Sequence, residues 1–377
     1  MKPTSGKIIF AGGGTGGHVY PALATMEALL QKGNFELLFV GSYRGIENQI
    51  IPGSFLYKKI WISGFQRFFT LRNLLFPLKV LVSLFQSLLI VLKFKPDVVV
   101  GTGGYVSGPV VYTAAKLGIP TLIQEQDSYP GVTTRLLSRY SDTVCVPYQE
   151  VLQHLKKVKG ETVVTGVPVR RSLKLISKSE AVLPWALKAD QPVIFIFGGS
   201  QGAHSINKAV KQIARPLLQK YRVQFLWQSG KNNYPEVKEW SIAKETGVKV
   251  LDYIQAMDLA YSAADIIISR AGAITLAELA MVQKPCILIP YPLAAAQHQE
   301  KNAQTIAAIG AAILVKEDEA LEIKLMEAVV RLLDHPDEAA AMGRKWQKVY
   351  QPEAAEKIAD QIIKLVEKRY ENQTGKN

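Results

Sequence analysis

The sequence predicts an α/β protein made of two doubly wound, parallel-sheet domains, and two observations carry that reading. Short apolar runs recur between longer helical stretches: Lys7–Ala11, Glu36–Val40, Asp97–Gly101 and Pro120–Gln124, then Val193–Phe197, Val223–Trp227, Asp265–Ser269 and Pro285–Pro290. Nearly continuous apolar strands separated by helices mark parallel sheets covered on both faces. The pattern also restarts. Ile8–Ala11 leads into Gly12-Gly13-Gly14-Thr15-Gly16-Gly17, and Ile194–Phe197 leads into Gly198-Gly199-Ser200-Gln201-Gly202. A strand meeting glycines just before a helix is the local geometry of a nucleotide-binding unit, and here it occurs twice.

Length agrees with two domains, because 377 residues exceed what one hydrophobic core usually fills. Thr165-Gly166-Val167-Pro168-Val169-Arg170 precedes a polar, basic stretch, which sets the boundary near Val167. The expected domains are 1–167 and 168–377, with the terminal helix free to pack back on the first. Apolar residues at 48% and charged residues at 20% describe a folded globular chain. Cys145 and Cys286 are too few and too far apart for a disulfide framework or a zinc cluster, which fits a reducing cytosol. The run Ile8-Ile9-Phe10-Ala11 is too short for a signal-peptide core, so no export is expected. Of the net charge of +13, a surplus of 8 lies before Pro168, and such a bias points to an anionic partner: phosphate, nucleic acid or a lipid surface.

Glycine-rich turns let backbone N–H groups approach a ligand, and the helix that follows adds partial positive charge. Three such loops occur, Gly12–Gly17, Gly101–Gly108 and Gly198–Gly202, and none ends in the Gly-Lys-Ser/Thr of a Walker A loop. Gly12, Gly14 and Gly17 fit a dinucleotide fingerprint, which calls for an acidic residue about twenty positions on, at the end of the second strand. That strand ends in Val40-Gly41-Ser42 and carries Glu36 at its start, so the dehydrogenase reading loses force.

Four segments resemble the MurG family, the N-acetylglucosaminyltransferases that convert lipid I to lipid II in peptidoglycan synthesis. They are Gly13-Gly14-Thr15-Gly16-Gly17-His18-Val19-Tyr20-Pro21, Gly103-Gly104-Tyr105-Val106-Ser107-Gly108, Gly198-Gly199-Ser200-Gln201-Gly202-Ala203, and Arg270-Ala271-Gly272-Ala273-Ile274-Thr275 through Glu278. They run in the family's order from about Lys7 to Ala303. The resemblance implies the GT-B architecture, with acceptor bound mostly by the first domain and donor by the second. It also implies inverting transfer from UDP-GlcNAc to lipid I, with no metal and no cofactor. The sequence holds no Asp-x-Asp triplet to clamp a metal-bound diphosphate, so Arg270 and helix N-termini are left to neutralise the leaving group.

A sugar hydroxyl is a poor nucleophile, and a positioned base contributes roughly 10²–10⁴-fold by taking its proton. His18 closes a glycine loop at the start of a helix, and the resemblance implies a base role for it; the alternative is a capping or positioning histidine. Glu125, in Gln124-Glu125-Gln126-Asp127, is the competing base, or else a carboxylate that orders the acceptor site. The family pattern there is His-Glu-Gln-Asn, so Gln124 and Asp127 are departures, and Asp127 exchanges an amide donor for a carboxylate.

The resemblance places Thr15, Gly16, Gly17, Asp127, Arg170, Ser200, Arg270 and Gln299 at the donor, and Ile254 against uracil. Small residues before and within Ala273-Ile274-Thr275-Leu276-Ala277 let a diphosphate approach the helix start, and the resemblance implies that Glu278, about two turns in, accepts the ribose hydroxyls; the alternative is an exposed helix glutamate. The resemblance gives the acceptor to Gly104, Tyr105 and Gln126. His298 is either a second histidine of the site or a surface one. A related transferase acting on diacylglycerol, and less so a sugar-nucleotide epimerase, share the donor motifs. Lys58, Lys59, Arg67 and Arg72 beside Trp61, Phe65, Phe68 and Phe69 allow a nucleic-acid groove, but that reading leaves the donor motifs unexplained, and no nucleic-acid partner is expected.

The last feature concerns lipid. The 49 residues from Asn48 to Pro96 contain no Asp or Glu, yet include Lys58, Lys59, Arg67, Arg72, Lys79, Lys93 and Lys95. Pro77 suits a first helical position, and the stretch to Leu92 is strongly apolar. Lys79, Ser83, Gln86, Ser87 and Lys93 fall on one stripe about 120° wide, with Ile90, and the remaining surface is apolar. Lys79 and that stripe argue against a membrane span. The plain alternative is a helix wedged between its sheet and a neighbour. The sharper expectation is that Leu74, Leu75, Phe76 and part of the helix, with Phe68 and Phe69, dip into an anionic membrane surface, peripherally, on the cytoplasmic face of the inner membrane.

Overall fold

The computed structural model describes residues 5–51, 53–64, 75–169, 173–199, 201–294 and 297–374. Phe65, Arg67, Phe68, Phe69, Arg72, Leu74, Arg170 and Ser200, singled out above, lie outside the described residues.

The chain divides into two units, Met1–Arg170 with Gln351–Asn377, and Arg171–Tyr350. The first holds β1 (Ser5–Ala11), β2 (Asn34–Ser42), β3 (Leu56–Ile60), β4 (Val98–Gly101), β5 (Thr121–Gln124), β6 (Thr143–Val146) and β7 (Glu161–Val164). They form one sheet in the order β3-β2-β1-β4-β5-β6-β7, with every pairing parallel. Alternation along β1 supplies both faces. Ile8 and Phe10 pack with Val19, Leu23 and Met26 of the helix Gly16–Lys32 and with Ile358, Ile362 and Val366 of the helix Ala354–Thr374. Ile9 and Ala11 pack with Val106 and Val110 of the helix Gly104–Lys116. The C-terminal helix is tied further to this unit by Lys364 to Glu161 at 2.9 Å and by Arg369 to the Asp97 carbonyl at 3.2 Å.

The second unit repeats the plan with β8 (Val193–Phe197), β9 (Gln224–Gln228), β10 (Val248–Leu251), β11 (Ile266–Ser269), β12 (Cys286–Leu288) and β13 (Ile313–Leu314), in the parallel order β10-β9-β8-β11-β12-β13. Val193, Phe195 and Phe197 face Tyr261 and Leu276, while Ile194 and Ile196 face Ile206, Val210 and Leu325.

The helix Phe76–Phe94 reverses the usual polarity. It rests on the helix Gly104–Lys116 and on β3. The side it turns inward carries Ser83 and Ser87, both fully buried, whose hydroxyls donate to the carbonyls of Val80 and Ser83. Lys79 donates to Ser63 at 2.9 Å, and Gln86 accepts from the Trp61 amide at 2.7 Å. The outward side carries Leu78, Leu81, Phe85, Leu89 and Leu92, of which Leu81 and Phe85 are 66% and 62% exposed. The Lys79–Ser87 part of the polar stripe is therefore the docking face, with Lys93 exposed, and among the described residues the helix is covered on one side rather than wedged between two layers. By length and composition it is long and apolar enough to cross a membrane, and 17% of it is buried.

Candidate active site

In the first unit the strand order reverses between β1 and β4, so the loops leaving these two strands meet at the end of the sheet. Thr15 stands at the N-cap position of the helix Gly16–Lys32 without a side-chain capping bond, Gly16 and Gly17 open the helix, and His18 stands in its first turn. His18 Nδ1 is 3.0 Å from the Gly13 carbonyl oxygen and 3.2 Å from Thr15 Oγ1. A carbonyl only accepts, so Nδ1 of the neutral ring carries the proton and Nε2 presents its lone pair. Thr102 Oγ1 donates to the His18 carbonyl at 2.9 Å. Glycine is required opposite the ring: Gly103 has φ +102°, and a Cβ there would stand 2.5 Å from His18 Cδ2. At Gly104, φ +75°, a Cβ would collide with the Gly13 carbonyl. Gln126 closes the group by donating Nε2 to the Thr102 carbonyl at 3.3 Å, and the Tyr105 ring covers Gly14.

Glu125 does different work. It is 4% exposed, and its oxygens accept from the amides of Gln126 at 2.9 Å, Asp127 at 3.0 Å and Gly131 at 2.9 Å. Burial, then the nearby Asp127 carboxylate, pushes its carboxyl up, against hydrogen bonds from Thr134, Asp127 and Gly131 that pull it down. With three backbone amides on its oxygens, Glu125 anchors the turn that carries Gln126 and Asp127. Gln124 donates to the Glu125 carbonyl at 3.1 Å.

In the second unit the order reverses between β8 and β11. The helix His204–Tyr221 starts beyond the β8 loop and the helix Ala273–Val282 beyond the β11 loop, so two helix N-termini converge on the reversal. Arg270 joins the loops. Its Nη1 reaches the carbonyls of Ile289 and Pro290, both at 3.1 Å, and Glu317 Oε2 at 2.5 Å; its Nη2 reaches Ser205 Oγ at 3.2 Å, and Tyr291 lies under the guanidinium. The charge expected to meet a leaving group is thus already paired with Glu317.

Glu278 is half-buried and accepts from the Tyr261 hydroxyl at 2.7 Å. Burial and that carboxylate raise the Tyr261 phenol well above its ordinary range, which keeps it a donor. Ala273 and Leu276 are buried in the core, while Ile274, Thr275 and Ala277 are partly exposed. Ile254 is also in the core, so its side chain packs inward while its amide donates to Gln228 Oε1 at 2.8 Å. Gln228 Nε2 in turn donates to the Gly199 carbonyl at 3.1 Å, binding the glycine loop to the Ile254 turn. Gln299 accepts from the Tyr291 amide at 3.0 Å, and Asn302 donates to the Ala271 carbonyl at 3.2 Å.

Residues 8–146 match the model of the glycosyltransferase family 28 N-terminal domain, and residues 193–362 match that of its C-terminal domain. The chain belongs to glycosyltransferase family 28. A UDP-N-acetylglucosamine--N-acetylmuramyl-(pentapeptide) pyrophosphoryl-undecaprenol N-acetylglucosamine transferase of Flavobacterium psychrophilum is 43% identical over 365 residues, 96% of this chain and 98% of that one. A protein of the same name from Desulforamulus reducens is 40% identical over 370 residues, again 96% and 98%. The crystal structure of Acinetobacter baumannii MurG is 29% identical with a TM-score of 0.75, covering 95% of this chain and 99% of that one. A UDP-GlcNAc 2-epimerase of Neisseria meningitidis, 16% identical at a TM-score of 0.65 over 96% of this chain and 100% of that one, shares the fold. The GT-B fold expected from the resemblance is the one observed.

Within this family 28 framework, sequence reasoning overlooked five residues that hold the site in shape: Glu47, Ser205, Gln228, Tyr261 and Glu317. A signal existed for one. The fingerprint called for an acidic residue after the second strand, and Glu47 stands five positions beyond Ser42, on the far side of a turn.

Proposed function

We propose that this chain transfers N-acetylglucosamine from UDP-GlcNAc to the 4-hydroxyl of the N-acetylmuramyl unit of lipid I, forming lipid II in peptidoglycan synthesis. The observation that carries the reading is identity of 40–43%, over 96% of the chain, with transferases named for that donor and acceptor.

The strand reversal in each unit supports the following chemistry. His18 Nε2 takes the proton of the attacking hydroxyl, whose oxygen bonds to the anomeric carbon as the bond to the UDP oxygen breaks on the opposite face. The lone pair needed for this is supported by the Gly13 contact at Nδ1. UDP leaves as an anion beside the N-termini of the helices His204–Tyr221 and Ala273–Val282, with Arg270 of the Arg270–Glu317 pair nearby. Glu278 accepts the ribose hydroxyls, Thr15, Gly16, Gly17, Asp127, Arg170, Ser200, Ile254 and Gln299 complete the donor contacts, and Gly104, Tyr105 and Gln126 hold the acceptor.

The enzyme works on a membrane surface, peripherally and on the cytoplasmic side. Support comes from the outward Leu78, Leu81, Phe85, Leu89 and Leu92 beside exposed Lys58, Lys59, Lys93 and Lys95. A polyprenyl-linked acceptor stays in the bilayer, so a surface-bound enzyme meets it in two dimensions. Incubation with labelled UDP-GlcNAc and a short-chain lipid I analogue tests the reaction: one N-acetylglucosamine is added to the analogue and none to diacylglycerol. Transfer to diacylglycerol alone, or to neither, overturns it.

A further inference from the structure

The fully buried Glu47 is a carboxylate that the mechanism above does not use. Its Oε1 accepts from the Ser42 amide at 2.8 Å and the Ser42 hydroxyl at 2.7 Å, and its Oε2 accepts from the Gly14 amide at 3.0 Å. The chain makes room for it with glycine. A Cβ at Gly13 would lie 2.5 Å from Glu47 Oε1, one at Gly41 would lie 2.7 Å from its Cγ, and one at Gly45 would collide with the carboxylate.

The Gly14 amide belongs to the same peptide group as the Gly13 carbonyl, which His18 Nδ1 meets at 3.0 Å. Both polar ends of the Gly13–Gly14 peptide are therefore engaged, the oxygen by the histidine ring and the N–H by the carboxylate. Hydrogen bonds in such a chain polarise one another, so an acceptor on the N–H makes the carbonyl a stronger acceptor for the ring. The partner of one imidazole nitrogen sets which nitrogen carries the proton. We propose that Glu47 is a positioning residue for His18, acting through the Gly13–Gly14 peptide group to hold the ring proton on Nδ1 and leave Nε2 able to accept.

This also accounts for the failed dinucleotide fingerprint. The acid after the second strand turns back onto the glycine loop instead of out to a ribose, and it occupies the Gly14 N–H that a diphosphate would otherwise approach. Within the first loop, the Gly13–Gly14 peptide is committed to the histidine, and Thr15, Gly16 and Gly17 are left to the donor.

The proposal rests on His18 as the base, but the position of the ring proton can be measured without that assumption. The chain has 5 histidines, so long-range proton–nitrogen spectra of histidine-labelled protein resolve the ring of His18, assigned by its loss in His18→Ala. In wild type the neutral ring should be protonated on Nδ1. In Glu47→Gln an amide NH₂ can replace Oε2 against the Gly14 N–H, so the ring proton should shift toward Nε2. The same variant should lose roughly 10-fold or more in kcat, part of the 10²–10⁴-fold a base supplies, while KM for UDP-GlcNAc stays unchanged. Should Glu47→Gln not fold, Glu47→Asp makes the same comparison by withdrawing the charge one methylene from Gly14. A wild-type ring protonated on Nε2 overturns the proposal without any variant, and so does a folded variant with unchanged tautomer and kcat. Normal turnover in His18→Ala, with the wild-type ring still protonated on Nδ1, would overturn the base reading and leave the tautomer result standing.

Discussion

The Tyr261 hydroxyl donates to Glu278 Oε2 at 2.7 Å, from one helix of the second unit to another. The bond helps to fix the angle of a half-buried carboxylate and uses its Oε2. Tyr261 is part of the core against Phe195 and Phe197, so the restraint comes from a ring that cannot move aside.

Removing either partner should therefore weaken donor binding. If Glu278 binds the ribose as proposed, Glu278→Ala should cost about 1–3 kcal/mol in UDP-GlcNAc affinity by calorimetry, with reduced discrimination against the 2′-deoxy donor. Tyr261→Phe should give a smaller loss of the same sign and lower the melting temperature. Unchanged affinity in both variants would take Glu278 out of the donor site.

Glu125→Gln separates an anchor from a base. An amide cannot accept from three backbone N–H groups as a carboxylate does, and each buried donor left unpaired costs about 1–3 kcal/mol. The expected result is a clear fall in thermal stability, with turnover reduced alongside it. A collapse of turnover at unchanged stability would give Glu125 the proton.

The helix Phe76–Phe94 should hold the protein on anionic vesicles, less so at high salt. Leu81→Ser/Phe85→Ser/Leu89→Ser removes three outward apolar side chains. At about 1 kcal/mol each for groups already half out of water, the change should weaken sedimentation on the order of a hundredfold. Activity on a soluble short-chain acceptor should persist. Equal sedimentation of variant and wild type would assign the stripe to something other than lipid.

Eight strands were legible in the sequence because each is a continuous apolar run buried on both faces, as in Val193–Phe197. Those missed are mostly edges. Leu56–Ile60 includes Lys58 and Lys59 and exposes most of its length, Glu161–Val164 starts exposed, and Ile313–Leu314 is two residues long. A parallel edge strand has one covered neighbour and little apolar signal to show. The glycine loops and the residues flanking them were legible because they are contiguous. Gln228, Tyr261 and Glu317 were not, because their roles exist only once distant segments meet: Tyr261 is 17 residues from Glu278, and Glu317 is 47 from Arg270. The stripe on Phe76–Phe94 was legible as a pattern, but its direction depended on Ser63 and Trp61 supplying partners for Lys79 and Gln86.

The proposed role of His18 as the base is tested most directly by His18→Ala. Its turnover number on a lipid I analogue should be measured beside its UDP-GlcNAc affinity. A base acts chiefly in the transition state, so turnover should fall by roughly 10²–10⁴-fold while donor affinity is unchanged. Near-normal turnover, or a loss explained by weaker donor binding, would contradict the account.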